Sequence, residues 1–149
     1  MTRAEATARV LEAKRQSGLS WRQICGKIGH GSPLFYTAAL LGHHGLTPEE
    51  ASKVTALLKF DDATATILAE IPESRGASLA MPPSDPLIYR LYEIVQGYGP
   101  TLKALINEEF GDGIMSAIDF TMDLEREPDP KGDRVKITMS GKFLPYKRF

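Results

Sequence analysis

The hydrophobic and polar positions of the first 70 residues alternate with the period of short helices. Apolar or small residues recur at helical spacing from Ala4 to Ser17, and Gly18 ends this segment. Four later segments begin with a helix-capping residue ahead of an apolar run, at Ser20, Ser32, Thr47 and Asp61. The pattern therefore predicts a helical bundle, in which residues 20–41 have the order of a helix-turn-helix, lambda-repressor-like fold.

Residues 71–85 show little periodicity and contain four prolines or glycines, so we expect an extended linker there. The linker divides the chain into an N-terminal helical domain, residues 1–75, and a C-terminal catalytic and dimerisation domain, residues 76–149. The linker fixes only the boundary; the catalytic and dimerisation roles of the second domain are implied by the family resemblance given at the end of this section.

The C-terminal domain begins with a helix whose apolar residues fall on one arc. Asp85 and Pro86 have the order of a capping residue and a first helical residue. The apolar arc comprises Leu87, Leu91, Ile94, Val95 and Tyr98. We expect Gly99 and Pro100 to break this helix and to start a second one, which Gly111 ends.

A clean alternation of apolar residues from Ile114 to Leu124 predicts a half-buried strand, interrupted on its apolar side by Ser116. After a polar loop, Val135 to Ser140 alternate again, which favours an antiparallel hairpin. Two strands alone are marginal in water, so a helix or another chain must cover them. The predicted fold class is α+β: a helical bundle, then a small α+β domain of two helices and a hairpin, intertwined with a partner chain.

Composition limits the classes of function. The chain has 149 residues, 42% hydrophobic content and a net charge of −1, so no bulk field favours DNA or an acidic membrane. Its start lacks the apolar stretch of a signal peptide, and no apolar run approaches the ~20 residues that span a bilayer. The single cysteine, Cys25, excludes an intrachain disulfide, and a cytoplasmic location is expected.

The helix-turn-helix pattern lacks the residues that read DNA. Residues 1–75 hold 9 Lys or Arg and 8 Asp or Glu, a balanced charge. The helix that would enter the major groove, within residues 32–41, contains no Arg, Lys, Asn or Gln to contact a base edge. We therefore expect neither nucleic acid nor a membrane as a partner, and we assign this helix to packing or subunit contact.

Three residues of the C-terminal domain could bind a small anion. Arg90 and Glu93 lie three residues apart on one helix, so their side chains meet. The pair is either a surface ion pair or a clamp in which Arg90 offers its planar fork to a carboxylate or bicarbonate. The Ser116 hydroxyl either bonds a backbone carbonyl, the common partner of a buried hydroxyl, or donates to a bound anion.

The residues give little indication of a metal site or of a catalytic nucleophile. The three histidines, His30, His43 and His44, all lie in the first 44 residues, and their spacing resembles no zinc pattern. Because the second half of the chain has no histidine, Ser116 lacks the base that a serine nucleophile needs. We expect neither a metal site nor a Ser-His-Asp triad.

Several sequence motifs, taken together, resemble those of a known protein family. The second half contains YRLYE, YGPTLKAL, FGDGIMSAIDF and GKFLPYK, and the first half contains LLG ahead of a TPEEA helix. With these motifs the chain resembles the cyanases (cyanate hydratases, or cyanate lyases) over nearly its whole length. The catalytic arginine, glutamate and serine of that family fall on Arg90, Glu93 and Ser116.

The resemblance implies a bicarbonate-dependent decomposition of cyanate to carbamate and carbon dioxide, after which carbamate gives ammonia and carbon dioxide. Bicarbonate is a co-substrate, and no metal or organic cofactor is implied. The resemblance also implies a homodecamer, a ring of five dimers, whose sites are built by several subunits. Arg90 would hold the anions, Glu93 would orient Arg90, and Ser116 would donate a hydrogen bond.

Two other functions stay open from the residues alone. The chain could be a helix-turn-helix regulator with an anion-sensing oligomerisation domain, and a steep salt dependence of DNA binding would reveal it. It could also be a purely structural oligomer, which would release no ammonia from cyanate.

Overall fold

A computed structural model of the chain describes residues 1–72 and 81–149. The described residues form α helices and one two-stranded antiparallel sheet, which confirms the α+β class. The elements are α1 (Arg3–Ser17), α2 (Trp21–Ile28), α3 (Pro33–Leu40), α4 (Pro48–Leu58), α5 (Asp62–Ala69), α6 (Pro86–Phe110), β1 (Gly113–Glu127) and β2 (Arg134–Pro145). Most of the predicted linker, with the boundary between residues 75 and 76, lies outside the described residues.

Helices α2 to α5 begin at the four predicted capping residues, Ser20, Ser32, Thr47 and Asp61. In α2 the Ser20 hydroxyl accepts the Gln23 N–H, while the Gln23 side chain accepts the Ser20 N–H, and Thr47 and Glu50 do the same at α4. Gly18 ends α1 with a φ of 67°, a left-handed conformation that glycine adopts without steric cost. The predicted helical bundle is confirmed.

One hydrophobic core joins helices α1 to α5. Its largest fully buried side chains are Ile24, Ile28, Leu40, Leu68, Val10 and Val54. Cys25 belongs to this core, with its sulfur 3.5 Å from the Pro33 carbonyl oxygen. Because all five helices contribute side chains, this core accounts for the stability of the bundle.

By their contacts, the residues divide into two compact units. One contains α1 to α5 together with Met122–Thr138 of the hairpin; the other contains α6, the first part of β1 and Met139–Phe149. Within the first unit, Arg22 Nη2 donates to the Leu124 carbonyl at 2.6 Å and Ser32 Oγ donates to the Met122 carbonyl at 3.4 Å. Side chains of the helix-turn-helix thus bind the backbone of β1.

The second unit has one long helix where the sequence predicted two. α6 runs through Pro100 for 25 residues, so the predicted break at Gly99 and Pro100 is wrong. A proline ring disfavours the helical conformation of the preceding residue mainly through that residue's N–H and Cβ. Gly99 has no Cβ, which removes part of this clash, and the proline then costs the helix one backbone donor.

The hairpin is longer than the alternation predicted. β1 and β2 leave only residues 128–133 as the loop, where the sequence predicted a polar loop from Arg126 to Arg134. An ion pair joins the two strands next to this loop, with Lys136 Nζ 3.1 Å from Glu125 Oε2, and a second pair joins β1 to the end of the loop, with Arg126 Nη1 3.1 Å from Asp133 Oδ2. Opposite charges facing each other across the strands explain how polar residues continue the sheet.

The apolar faces of the second unit are not covered by the described residues. Helix α6 has no buried residue, and Ile118 of β1 is 98% exposed. The predicted half-buried strand exists, but a single chain does not bury it. Exposed apolar faces of this extent are typical of surfaces that contact other protein. No helix of the described residues is both long enough and apolar enough to cross a membrane.

Candidate active site

The first turns of α6 hold Arg90 and Glu93 in contact. The helix starts at Asp85, whose carboxylate accepts the N–H groups of Leu87 and Ile88 at 2.9 Å each. Arg90 Nη1 then lies 2.6 Å from Glu93 Oε2. The predicted contact between the two side chains is confirmed.

The ion pair leaves most of the guanidinium available. The Arg90 side chain is 74% exposed and the Glu93 side chain 37% exposed. Within residues 1–72 and 81–149, the other N–H donors of Arg90 make no hydrogen bond. Arg90 is therefore held by one nitrogen, while the rest of its planar fork can bind two oxygens of an anion.

Ser116 is buried in β1 and its hydroxyl oxygen is already an acceptor. The residue is 6% exposed, and its Oγ accepts the backbone N–H of Ile118 at 3.1 Å and of Asp119 at 2.9 Å. Of the two alternatives left open by the sequence, a bond to a backbone carbonyl is not made among the described residues. The cause is local: the strand turns its own next N–H groups toward the hydroxyl, an arrangement that serine favours.

This arrangement limits what Ser116 can do chemically. A hydroxyl has two acceptor lone pairs and one donor proton. Both lone pairs face N–H groups, and the proton has no acceptor among the described residues. The geometry suits a donor to an anion, and it disfavours a nucleophile, which needs a lone pair for attack.

The three predicted site residues are not joined within one chain. Arg90 and Glu93 contact each other, but no hydrogen bond or ion pair of the described residues connects either of them to Ser116. A groove of about 410 Å³ in the same unit includes Lys103, Asn107 and Tyr146 in its lining, but none of the three site residues. Their shared catalytic role stays a prediction.

The backbone N–H groups of Ile118 and Asp119 are the part of this site that the sequence did not reveal. They hold the Ser116 oxygen through the main chain, which every residue type carries. Serine side chains often accept the N–H groups of residues that follow closely along the chain, and this preference was the available indication. Ser116, however, lies inside an alternating apolar segment that predicts a regular strand.

Helix α3, which the sequence assigned to packing or subunit contact, lines a groove in the first unit. Residues of α2, α3 and β1 line an apolar groove of about 420 Å³ in the first unit, among them Trp21, Leu34, Ala38 and Leu124. Two residues of β1, Asp123 and Leu124, lie in the lining of this groove together with residues of α3.

No group of three or more His, Cys, Asp or Glu side chains in residues 1–72 and 81–149 is arranged to hold a metal ion. The positive charge that can be identified at the candidate site is that of Arg90.

Comparisons with known proteins agree along the whole chain. A family model described as "Cyanate hydratase, N-terminal" matches residues 3–72, and one described as "Cyanate lyase C-terminal domain" matches residues 80–148. The cyanate hydratase of Methylibium petroleiphilum is 52% identical over 149 residues, 100% of both chains. That of Mycolicibacterium vanbaalenii is 50% identical over 147 residues, 98% of this chain and 94% of the relative.

The fold has a solved counterpart. The crystal structure of cyanase from T. urticae matches with a TM-score of 0.81 and 34% identity, over 94% of this chain and 96% of that one.

Proposed function

We propose that this chain, which belongs to the cyanate lyase family, is a lyase that decomposes cyanate with bicarbonate as co-substrate. The observation that carries this proposal is the full-length match to cyanate hydratases. The fork of Arg90 and the available proton of Ser116 give the reaction a physical basis.

The reaction joins two small anions by one bond and then breaks a different bond of the adduct. An oxygen of bicarbonate attacks the electrophilic carbon of cyanate, and the bicarbonate proton moves to the cyanate nitrogen, which gives a carboxycarbamate dianion. The bond between the bridging oxygen and the former bicarbonate carbon then breaks and releases carbon dioxide. One further proton on nitrogen gives carbamate, which takes up another proton and falls apart to ammonia and a second carbon dioxide.

Charge is the main obstacle that the site must overcome. Cyanate and bicarbonate repel each other, and their adduct carries two negative charges, so the site must supply positive charge in a place that excludes water. Arg90 supplies one such charge, and a second Arg90 from a partner chain would match the dianion. Holding both reactants together also removes much of the entropic barrier of a two-molecule reaction.

Glu93 and Ser116 have supporting roles in this scheme. Glu93 binds one nitrogen of Arg90 and thereby fixes the plane of the guanidinium. Ser116 donates its proton to an oxygen on which negative charge increases during the reaction. The two N–H groups at its oxygen hold that proton in one direction, so little reorganisation is needed when the charge develops.

We propose a homodecamer built as a ring of five dimers, with sites formed by more than one chain. The support lies in the second unit, where α6 has no buried residue and β1 exposes Ile118. An Arg90 side chain that is 74% exposed is hydrated and binds anions weakly, so a partner chain must cover it before the site becomes dry. Intertwining of two C-terminal domains, residues 76–149, would do this, while residues 1–75 form the helical domain.

The scheme uses no metal or organic cofactor, because guanidinium groups and a hydroxyl supply the charge and the hydrogen bonds. We place the reaction in the cytoplasm, since the buried Cys25 remains a thiol in a reducing compartment. The proposed partners of the scheme are thus cyanate, bicarbonate and further copies of the chain.

A direct assay tests the function. Purified protein is mixed with cyanate, with and without bicarbonate, and ammonia is measured over time. We expect ammonia in the presence of bicarbonate and a large loss of rate when bicarbonate is removed. Sedimentation of the same sample gives the size of the assembly, and an absence of ammonia from a correctly assembled sample would refute the proposal.

A further inference from the structure

Strand β2 carries a glycine beside Ser116 that leaves no space for a side chain. Gly141 of β2 lies opposite Ser116, and a Cβ atom built on it would overlap the Ser116 carbonyl oxygen. The same Cβ would lie 2.6 Å from Cγ of Met115, the residue before the serine. Real Cβ atoms essentially never come so close to other heavy atoms, so any other residue at 141 would force the strands apart.

The backbone conformation at position 141 does not require a glycine. The described glycines with a positive φ are Gly18, Gly42, Gly111 and Gly132, and Gly141 is not among them. An alanine at 141 could therefore adopt the local conformation without backbone strain. What excludes it is the space occupied by Met115 and by the main chain of Ser116.

We propose that Gly141 is a positioning residue for the Ser116 hydroxyl. The inference rests on the proposed function, because it assumes that Ser116 donates to the reacting anions. The missing side chain lets β2 approach the Ser116 carbonyl and sets where the main chain of that residue lies. The N–H groups of Ile118 and Asp119 that donate to Oγ follow two and three residues later in the same strand. A shift of the Ser116 backbone therefore moves the hydroxyl and the direction of its proton.

The expected consequence of Gly141→Ala is a loss of turnover rather than of substrate binding. A displacement of about 1 Å in a catalytic group can cost about 10²-fold in rate, so we expect kcat to fall roughly tenfold to a hundredfold. KM should change much less, because the hydroxyl acts mainly on charge that develops during the reaction. Sedimentation and circular dichroism identify the assembled fraction, to which kcat is normalised.

A double-mutant cycle separates positioning from a general structural effect. If Gly141 acts through the hydroxyl, then adding Gly141→Ala to Ser116→Ala should lower kcat by less than about twofold. If the glycine only stabilises the hairpin, its effect should be the same with and without the hydroxyl. Equal losses in the two backgrounds would overturn the inference.

The same hairpin offers a matched control. A Cβ on Gly113 of β1 would overlap the Leu144 carbonyl oxygen and lie 2.9 Å from Pro145 Cα, so Gly113→Ala introduces a comparable clash away from Ser116. Its effect on kcat should be independent of the serine. Coupling of Gly113→Ala to Ser116→Ala as strong as that of Gly141→Ala would also overturn the inference.

A second variant covers the case in which Gly141→Ala does not assemble. Met115→Ala with Gly141→Ala removes the side-chain part of the clash and leaves the overlap with the Ser116 carbonyl. We expect this pair to assemble and to keep the loss of kcat, relative to Met115→Ala alone. Recovery of kcat to that of Met115→Ala would show that the glycine accommodates Met115 and does not place Ser116.

In every series the wild-type protein and Ser116→Ala are assayed too. An inactive wild type would contradict the proposed function itself, and a normal kcat of Ser116→Ala would contradict the assumed role of the serine.

Discussion

At the scale of single residues, the geometry of the Arg90 fork gives the sharpest prediction. Arg90→Lys keeps the positive charge but replaces a planar group of several N–H donors with one ammonium group. We expect kcat to fall by about 10²-fold or more, because a lysine cannot hold two oxygens of an anion in a fixed orientation. Ammonia release measures the loss, and sedimentation should show that the assembly is unchanged.

The chain supplies a control for this change. Arg126 is also exposed and paired with a carboxylate, that of Asp133, but it lies beside the hairpin loop. Arg126→Lys should leave the rate of ammonia release unchanged. Nearly normal activity of Arg90→Lys would argue against a clamp and would return Arg90 to a surface ion pair.

Ser116→Ala removes the hydroxyl that the strand holds with two N–H groups. We expect a loss of about 10²-fold in kcat, the size of effect seen when one donor to developing negative charge is removed. Ser140→Ala, at an exposed serine of the neighbouring strand, is the control and should be nearly neutral. If the two variants were equally active, Ser116 would have a structural role only.

These two sites differ in how far the sequence could predict them. The contact of Arg90 with Glu93 follows from a helix and a spacing of three residues, which are both local facts. The partners of Ser116 depend on how the main chain turns within a strand, and an alternating pattern reports only which side each residue faces. The sequence therefore singled out the serine and left two partners open for its hydroxyl proton, but it did not indicate that two backbone N–H groups would donate to its oxygen.

At the scale of elements, capping chemistry was predictable because the cap and its partner are three residues apart. Ser20 with Gln23 and Thr47 with Glu50 mark helix starts that the structure contains. Pro100 was misleading, because its effect on a helix depends on whether the preceding residue has a Cβ, and Gly99 has none. The hairpin was longer than predicted because ion pairs form between polar residues at its loop end. A pattern of hydrophobic residues does not detect such pairs.

The start of α5 predicts an acid-sensitive contribution to stability. Asp61 accepts hydrogen bonds from the Thr64 hydroxyl at 2.6 Å, the Thr64 N–H at 2.8 Å and Arg9 at 3.0 Å. These bonds, first that of the Thr64 side chain, lower the pKa of Asp61 from 3.8 to about 2. Since the folded pKa is the lower one, the contribution is present above 3.8 and is lost as the pH falls toward 2.

Asp61→Asn tests this contribution, because the amide oxygen can still cap the helix but carries no charge that acid could remove. Urea unfolding followed by circular dichroism at pH about 5 and about 2.5 gives the acid-dependent change in midpoint. We expect a smaller change in Asp61→Asn than in the wild type, and an unaltered one in Asp62→Asn, which removes a neighbouring charge outside the cap. The same pH dependence in all three proteins would contradict the assignment.

At the scale of the whole molecule, the sequence correctly predicted that a single chain leaves apolar surface uncovered. It did not predict which surface covers it. Two strands with an apolar side need a cover, and the single chain leaves Ile118 and the apolar residues of α6 exposed. Which surface of a partner covers them cannot be read from one chain, because both sides of such an interface are specified by the same residues. The proposed catalytic centre depends on this, since no hydrogen bond or ion pair among the described residues joins Arg90 to Ser116.

Mixing two inactive variants therefore tests whether chains share a site. Arg90→Lys and Ser116→Ala chains are unfolded together in urea and refolded, so that hybrid assemblies form. If one site takes its arginine and its serine from different chains, some hybrid sites receive both native side chains, and ammonia release should exceed the sum of the two variants refolded separately. A mixture of Arg90→Lys with Arg90→Ala is the control, because no combination restores a native arginine. Confirmed hybrids with no gain in activity would mean that each chain builds its own site, and the exposed face of α6 would then need another explanation.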